Sequence, residues 1–138
     1  MRLRKSTKVD LIGKVPLFAG CSKRELSRIA AITDELGVRK GNTLIREGER
    51  GREFFVIVEG TVRVTRGSRK LRDMGPGDWA GEIALIADSP RTATVVTTSP
   101  CRLLVVTDRA FKAVIEETPS IALKLMQALG DRLHATEL

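Results

Sequence analysis

The pattern of apolar positions divides the chain into helical ends and a β-rich middle. Over residues 9–33, Leu26, Ile29 and Ala30 follow one another at the steps of an amphipathic helix. Pro16 ends a short helical turn before it, because the residue before a proline is pushed out of the helical region. Ser22 and Glu25 have the spacing of a capping box. The pattern therefore predicts a helical segment over 9–33, with a second helix beginning after Ser22.

From residue 34 to 107, short β-branched and aromatic runs alternate with turn signals rich in glycine, asparagine and proline. Val62 and Val64 alternate with Arg63 and Thr65, which is typical of a strand with one buried face. Strands at a spacing of about 8–12 residues indicate an antiparallel sandwich or barrel. The predicted strands are 35–39, 43–45, 53–59, 61–66, 69–74, 92–97 and 102–107.

The chain returns to a helical pattern after residue 107. Asp108 is predicted to cap a helix over 109–117, and Ser120 to cap a final helix that ends near residue 135. One face of that final helix is apolar, with Ile121, Leu125, Leu129 and Leu133 at four-residue steps. We interpret 1–8 as a basic N-terminal arm and 9–138 as a single domain, with helices at 9–33, a barrel at 34–107 and helices at 108–138.

Length and composition fit one folded domain. The chain has 138 residues, of which 42% are hydrophobic and 30% are charged, a balance that excludes intrinsic disorder. The longest apolar runs, such as 54–58, hold five residues, against about 18 for a membrane span. No apolar stretch follows the basic N-terminus as in a secretory signal. We therefore expect a cytoplasmic protein that does not enter a membrane.

The charged and metal-binding residue types narrow the function classes further. Net charge is +7, and the arm residues Arg2, Arg4, Lys5 and Lys8 supply four positive charges. Such an arm is either a solvated tail or a contact for nucleic acid or another anionic surface. The two cysteines have no metal-ligand spacing and are predicted to be small buried hydrophobic residues. A single histidine excludes the multi-histidine metal site of cupin-like barrel enzymes, so we expect no metal and no catalysis.

One helix-prone segment, 81–86, interrupts the β region and carries the candidate chemistry. A glycine that begins a short helix leaves backbone N–H groups without intrahelical partners, and these attract anions. Arg91 follows on the same loop and can hold a phosphate through two parallel hydrogen bonds. Glu82 fits beside a phosphate only if the ligand also offers hydroxyl donors, as a ribose does. Together these residues predict a site for a sugar phosphate.

The segments Gly-Glu-Ile-Ala-Leu at 81–85 and Ser-Pro-Arg-Thr-Ala at 89–93 resemble the phosphate-binding cassette of the cyclic nucleotide-binding domain family. The resemblance extends over about residues 9–133, including the glycine turns of 46–60. It implies a mainly β fold with helical flanks. This fold is a double-stranded β-helix (jelly-roll) barrel with an inserted phosphate-binding helix and a C-terminal lid helix. The family often has phenylalanine directly before the Gly-Glu pair, where this chain has Ala80 after Trp79.

The resemblance also implies roles for individual residues. Arg91 would pair with the cyclic phosphate, and Glu82 would accept a hydrogen bond from the ribose 2′-hydroxyl. The other implied contacts are the backbone of Gly81, Ile83 and Ala84 with the sugar phosphate, Thr92 with the phosphate or base, Val64 and Met74 with the base, and Arg132 of the lid helix with the purine.

These residues lead us to expect a stand-alone cyclic nucleotide sensor that uses no cofactor. We expect it to bind cAMP, with cGMP modestly weaker, and to move its C-terminal helix when ligand binds. That helix is also a candidate homodimer contact, and an unidentified protein would receive the signal. The alternatives are a fragment of a catabolite-activator-like transcription regulator without its helix-turn-helix, and a degenerate scaffold that binds no ligand. If the chain is complete, no specific DNA binding is expected.

Overall fold

A computed structural model describes residues 2–137, with the side chains of 2–135. The chain forms two compact units. The helical unit comprises the described parts of 1–33 and 109–138, and the barrel unit is Asp34–Asp108. Each unit corresponds to one of the two hydrophobic patterns in the sequence.

The barrel unit contains two antiparallel sheets of four strands each. The strands are β1 Asp34–Val38, β2 Thr43–Ile45, β3 Glu53–Glu59, β4 Val62–Arg66, β5 Arg69–Met74, β6 Trp79–Ala80, β7 Thr94–Thr97 and β8 Cys101–Thr107. The sheet orders are β1-β8-β3-β6 and β2-β7-β4-β5, so sheet neighbours other than the β4–β5 hairpin are not consecutive in sequence, and the predicted jelly roll is confirmed.

Side-chain alternation along the strands produces the barrel core. Val62 and Val64 of β4 are buried while Arg63 is exposed, as their alternation predicts. Strands β3 and β8 differ, because consecutive residues such as Phe54 and Phe55 are both buried. One contiguous cluster fills the barrel, formed by Ile45, Phe55, Ile57, Val62, Val64, Met74, Val95, Cys101, Leu103 and Val105.

Two features of the barrel differ from the sequence prediction. Strand β6 was not predicted, because its two residues are too few for an alternating pattern; it pairs with Phe55 and Val56 of β3. The predicted phosphate-binding helix is a single 3₁₀ turn, Glu82–Leu85. A segment of four residues is too short to show the apolar period of an α-helix, so the sequence alone does not distinguish a 3₁₀ turn from an α-helical turn here.

The helical unit contains α1 Lys5–Gly13, a 3₁₀ turn Pro16–Phe18, α2 Lys23–Ala31 and α4 Ser120–Glu137. It also contains α3 Asp108–Glu117, except for the first residue of that helix, which belongs to the barrel unit. The predicted basic arm is therefore not entirely separate from the fold, since residues 5–8 belong to α1. Apolar periodicity marks only the buried part of a helix, and the one buried residue of α1 is Ile12. The polar first turns of α1 carry no such mark. Phe18 and Phe111 pack with ring centroids 5.8 Å apart.

A buried carboxylate joins the start of α2 to the start of α4. The capping box is confirmed: the Ser22 N–H donates to Glu25 Oε1 at 2.8 Å, and the Glu25 N–H donates to Ser22 Oγ at 3.1 Å. The Ser120 hydroxyl donates to Glu25 Oε2, and Lys124 Nζ lies 3.3 Å from Oε1. The sequence predicts Ser120 as the cap before α4. In the structure Ser120 is instead the first residue of α4, and its hydroxyl donates to Glu25. The Ser120 hydroxyl, and after it the Ser22 N–H, lower the pKa of Glu25 to about 2.

The predicted apolar face of α4 is buried only in its first half. Ile121 and Leu125 are buried and Leu129 is half-buried, whereas Leu133 is 64% exposed. Leu123 and Met126, on other faces of the first half, are also exposed. The helical unit therefore anchors α4 through its N-terminal two turns.

Glu25→Gln should lower the free energy of unfolding at pH 7 by roughly 1–3 kcal/mol, because the charged acceptor of these hydrogen bonds is lost. The folded pKa of about 2 lies below the ordinary value of 4.5, so this stability is complete above about pH 4.5 and is lost as the pH falls through about 2. Urea denaturation at several pH values measures the difference from the parent. Glu116→Gln, an exposed change on α3, is the control and should have little effect. A constant difference down to pH 2 would contradict the assignment.

Candidate functional site

The barrel unit contains an open cavity of about 270 Å³ between the 3₁₀ turn and the sheet β2-β7-β4-β5. Eight of the nine residues that the resemblance implied for the site line this cavity: Val64, Met74, Gly81, Glu82, Ile83, Ala84, Arg91 and Thr92. The ninth, Arg132, is an exposed residue of α4 in the helical unit. The eight residues, which lie up to almost thirty positions apart in sequence, thus line one cavity of the barrel unit.

Hydrogen bonds with backbone groups hold both the main chain and the side chain of Arg91 at the cavity. The Arg91 N–H donates to the Glu49 carbonyl at 2.8 Å, and the Gly48 N–H donates to the Arg91 carbonyl at 2.9 Å. The guanidinium donates from Nη1 to the Gly81 carbonyl at 3.3 Å and from Nη2 to the Glu53 carbonyl. The arginine is therefore positioned by carbonyl groups, which hold the guanidinium without neutralising its charge.

Two glycines make room for this guanidinium. A Cβ atom on Gly51 would lie 1.6 Å from Arg91 Nε, and a Cβ on Gly81 would lie 2.5 Å from Nη1. Gly81 also has φ +87°, a left-handed conformation that residues with a side chain rarely adopt. Gly81 was predicted from the sequence as a site residue, whereas Gly51 was not. Gly51 belongs to the glycine-containing turn before β3, but no sequence pattern indicates that this turn contacts Arg91.

The electrostatics around Arg91 favour an anion in the cavity. Burial lowers the pKa of the Arg91 guanidinium, and the Glu53 and Glu82 carboxylates oppose that shift. A partly buried cation that is bonded to neutral carbonyls gains most from a ligand of opposite charge. Because guanidinium groups remain protonated near neutral pH, Arg91 offers a positive charge and several N–H donors to such a ligand.

The 3₁₀ turn supplies the second wall. The Ala84 N–H donates to the Gly81 carbonyl at 3.1 Å, and buried Leu85 anchors the turn in the barrel unit. Glu82 is half-buried and Ile83 is exposed. The Glu82 carboxylate lies on the cavity wall together with Arg91. On this side of the cavity a ligand meets the Arg91 cation and the Glu82 carboxylate as a hydrogen-bond acceptor, which suits a phosphate joined to a hydroxylated sugar.

The opposite wall is apolar apart from one basic residue that the sequence analysis missed. Val64 and Met74 are buried there, with half-buried Trp79 beside them. Arg72 also lines the cavity and is directly opposite Val64 in the β4–β5 ladder. The signal for Arg72 was its position two residues before Met74, since alternate residues of a strand share a face. Arg72 supplies hydrogen-bond donors to this otherwise apolar wall.

Loop contacts connect the end of the cassette to the neighbouring hairpin. Arg66 Nε donates to the Thr92 carbonyl at 3.0 Å, and the Gly67 N–H donates to Glu47 Oε1 at 2.8 Å. Arg50 forms an ion pair with Asp88 on the loop between the 3₁₀ turn and Arg91. The segment 46–50 therefore supports the loop that ends at the cavity.

The geometry and the comparisons with known proteins agree on the class of domain. The profile of the cyclic nucleotide-binding domain matches residues 35–118, which is more than half of the chain. The chain therefore belongs to the cyclic nucleotide-binding domain family.

Several relatives are similar over most of this chain. The cGMP-dependent protein kinase egl-4 of Caenorhabditis briggsae is 35% identical over 70% of the chain, which covers 14% of the kinase. A CRP-like cAMP-activated global transcriptional regulator of Mycobacterium tuberculosis is 30% identical over 92% of the chain, which covers 59% of the regulator. The chain thus spans well under two thirds of the length of either relative.

Solved structures support the same fold. The N-terminal domain of a transcriptional regulator from Streptomyces coelicolor A3(2) superposes with a TM-score of 0.84 and 30% identity, covering 92% of this chain and 94% of that one. In the described part of this chain, no helix is long and apolar enough to cross a membrane. Residues 2–137 contain no group of three His, Cys, Asp or Glu side chains that could hold a metal ion.

Gly51→Ala should weaken cyclic nucleotide binding by about tenfold or more, which corresponds to ~1.4 kcal/mol. The new methyl group would occupy the position of Arg91 Nε and displace the guanidinium. The three atoms nearest to it all belong to the Arg91 side chain, so folding should persist. Gly37→Ala is the matched control, since a Cβ there has no atom within 4 Å. Calorimetric titration of both variants measures the effect, and unchanged affinity in Gly51→Ala would refute this account of the glycine.

Proposed function

We propose that the chain is a cyclic nucleotide receptor that binds a 3′,5′-cyclic purine nucleotide in the barrel cavity. The observation that carries this proposal is the position of Arg91, with its guanidinium held at the cavity by carbonyls and bordered by Gly51 and Gly81. Membership of the family supports the ligand class. The receptor itself performs no chemistry and transmits the bound state to another protein or domain.

Each cavity residue has a role in the proposed complex. Arg91 pairs with the cyclic phosphate, because a guanidinium can donate two parallel hydrogen bonds to two phosphate oxygens. Glu82 accepts a hydrogen bond from the ribose 2′-hydroxyl, and the backbone at Gly81, Ile83 and Ala84 borders the sugar phosphate. The base lies against the apolar wall of Val64 and Met74.

Arg91→Ala should weaken binding by roughly 2–5 kcal/mol, because the bound phosphate would lose its charged partner. Titration calorimetry with cAMP and cGMP measures the loss, and the urea midpoint tests whether folding is retained. Arg91→Lys should recover only part of the affinity, since an ammonium lacks the planar pair of donors. Arg69→Ala, an exposed change on β5, is the control. Equal affinity of Arg91→Ala and the parent would remove the proposal's main support.

The base preference depends on two positions of the cavity and one of α4. The sequence alone favours cAMP, because the family resemblance gives Arg132 a contact with the purine. Arg72 favours guanine instead, since a donor-only guanidinium suits the O6 and N7 acceptors of guanine better than the N6 amino group of adenine. We therefore propose that both nucleotides bind and that Arg72, with the hydroxyl of Thr92, increases the affinity for cGMP.

Arg72→Ala should lower the affinity for cGMP several-fold more than the affinity for cAMP, because one good hydrogen bond is worth about 1 kcal/mol. Competition titrations with the two nucleotides measure the ratio in the parent, in Arg72→Ala and in Thr92→Ala. Arg132→Ala in the same assay tests the role assigned to α4, with a selective loss of cAMP expected. Equal losses for both ligands in Arg72→Ala would place Arg72 outside the base contact.

We further propose that ligand binding changes the packing of α4, as a population shift between two arrangements. The burial of Ile121 and Leu125 and the exposure of Leu133 support a helix of which only the first half is anchored in its own unit. A homodimer through α4 remains part of this proposal, because Leu123, Met126 and Leu133 are exposed apolar side chains. Amide exchange in α4 that does not change at saturating ligand would contradict it.

A second candidate is that these residues form the sensor domain of a longer CRP-like regulator. The observation in its favour is that the chain covers 94% of a solved N-terminal domain of a transcriptional regulator and 59% of a mycobacterial CRP-like regulator. DNA reading would then need a separate domain. The third candidate, a degenerate scaffold, predicts no calorimetric signal with either nucleotide.

The proposed compartment is the cytoplasm. Cys21 and Cys101 are both free thiols, as expected in a reducing environment. Burial, and after it the Glu25 carboxylate, raise the pKa of the Cys21 thiol to about 11, so this thiol is protonated and unreactive near neutral pH.

A further inference from the structure

The helical unit carries most of the positive charge of the chain. Residues 1–33 contain eight Lys or Arg and two Asp or Glu, a net charge of +6 out of the chain's +7. Part of this charge borders two cavities of about 370 and 390 Å³, which share Arg24, Arg28 and Glu117 in their walls. We name this surface the basic groove and define it by Lys5, Arg24, Arg28, Glu117 and Lys124.

Three of the four cations in the basic groove are available to a partner. Lys124 is already paired with Glu25, at 3.3 Å. Among the side chains of residues 2–135, Lys5, Arg24 and Arg28 have no ion-pair partner. The basic groove therefore offers three unneutralised cations to a ligand.

The floor of the basic groove adds apolar groups. Ile32 and Val114 line the first cavity and give it an apolar floor. Thr118 lines the second cavity, and its Oγ1 is buried without a hydrogen-bond partner among the described residues. Because this oxygen is inaccessible, the groups offered to a partner are the exposed cations and the apolar floor.

We propose that the basic groove binds an acidic segment of a partner protein, with carboxylates at Arg24 and Arg28 and a small apolar side chain on the floor. Charge complementarity selects an anionic partner, and the apolar floor suits a peptide side chain. Glu117 favours a protein segment over a polynucleotide. A protein segment can place a basic residue opposite the Glu117 carboxylate, whereas a polynucleotide carries a phosphate at every nucleotide. Both aromatic residues of the helical unit, Phe18 and Phe111, are fully buried and cannot stack on bases.

The probe is a labelled peptide, Glu-Glu-Val-Glu-Glu-Lys, titrated into the full chain and read by fluorescence anisotropy. Saturable one-to-one binding that weakens as salt increases is expected. The Arg24→Glu/Arg28→Glu variant should lose about tenfold or more in affinity. A charge-matched control, Lys40→Glu/Arg69→Glu, changes two exposed cations of the barrel unit and should lose less than about twofold. Circular dichroism and the urea midpoint verify that each variant folds.

A third variant reverses the direction of the effect. Glu117→Gln removes the one unneutralised carboxylate of the basic groove and should strengthen binding of a peptide that lacks the lysine. Equal losses in the groove variant and the charge-matched control would overturn the proposal as non-specific attraction. Groove-dependent binding of a single-stranded oligonucleotide or of phosphatidylserine vesicles, without binding of the peptide, would overturn the assigned partner class. Cyclic nucleotide affinity is measured separately, so its presence or absence does not affect these outcomes.

Discussion

The contact on which the barrel cavity depends is the seating of the Arg91 guanidinium on two carbonyl groups. Glu53 and Gly81 supply those carbonyls from two different segments, so the arginine fixes the 3₁₀ turn relative to the start of β3. Carbonyls orient a guanidinium through its N–H groups and leave its net charge intact. A cation held this way retains its electrostatic attraction for an anion, which a carboxylate partner would have reduced.

Contacts with the core, together with the Arg91 hydrogen bonds, hold two short elements beside the cavity. β6 has two residues and the 3₁₀ turn has four, and neither is stable by itself. Ladder contacts with Phe55 and Val56 fix β6, and buried Leu85 fixes the turn. The apolar cluster of the barrel unit lies behind these elements. The cavity is thus formed by elements that have little stability of their own and depend on the core for their position.

Much of this arrangement could be predicted from the sequence, and most of what was missed has a physical reason. Alternation in β4 and the capping box at Ser22 depend on neighbours in sequence, and the structure confirms both. Six of the eight cavity residues came from the motif at 81–93, and Val64 and Met74 came from strand positions implied by the family resemblance. Gly51 was missed because its contact with Arg91 joins segments that are distant in sequence. Arg72 was missed although it had a local signal, its position two residues before Met74 on β5. The contact of Ser120 with Glu25 spans 95 positions and has no local signature.

The two units differ in how they treat charge, and this difference limits what each can recognise. In the barrel cavity Arg91, Arg72 and Glu82 line a small volume, which suits a ligand that carries an anion and a hydroxyl close together. In the helical unit, Glu25 is saturated by Ser22, Ser120 and Lys124, and this internal pairing leaves Arg24 and Arg28 without a counterion. Neutralising a buried acid with nearby donors is more favourable than leaving it unpaired, whereas exposed arginines are well hydrated. Unpaired arginines at a recessed surface retain their attraction for external carboxylates. A small, buried ligand and a salt-dependent protein contact can therefore coexist on one chain of this size.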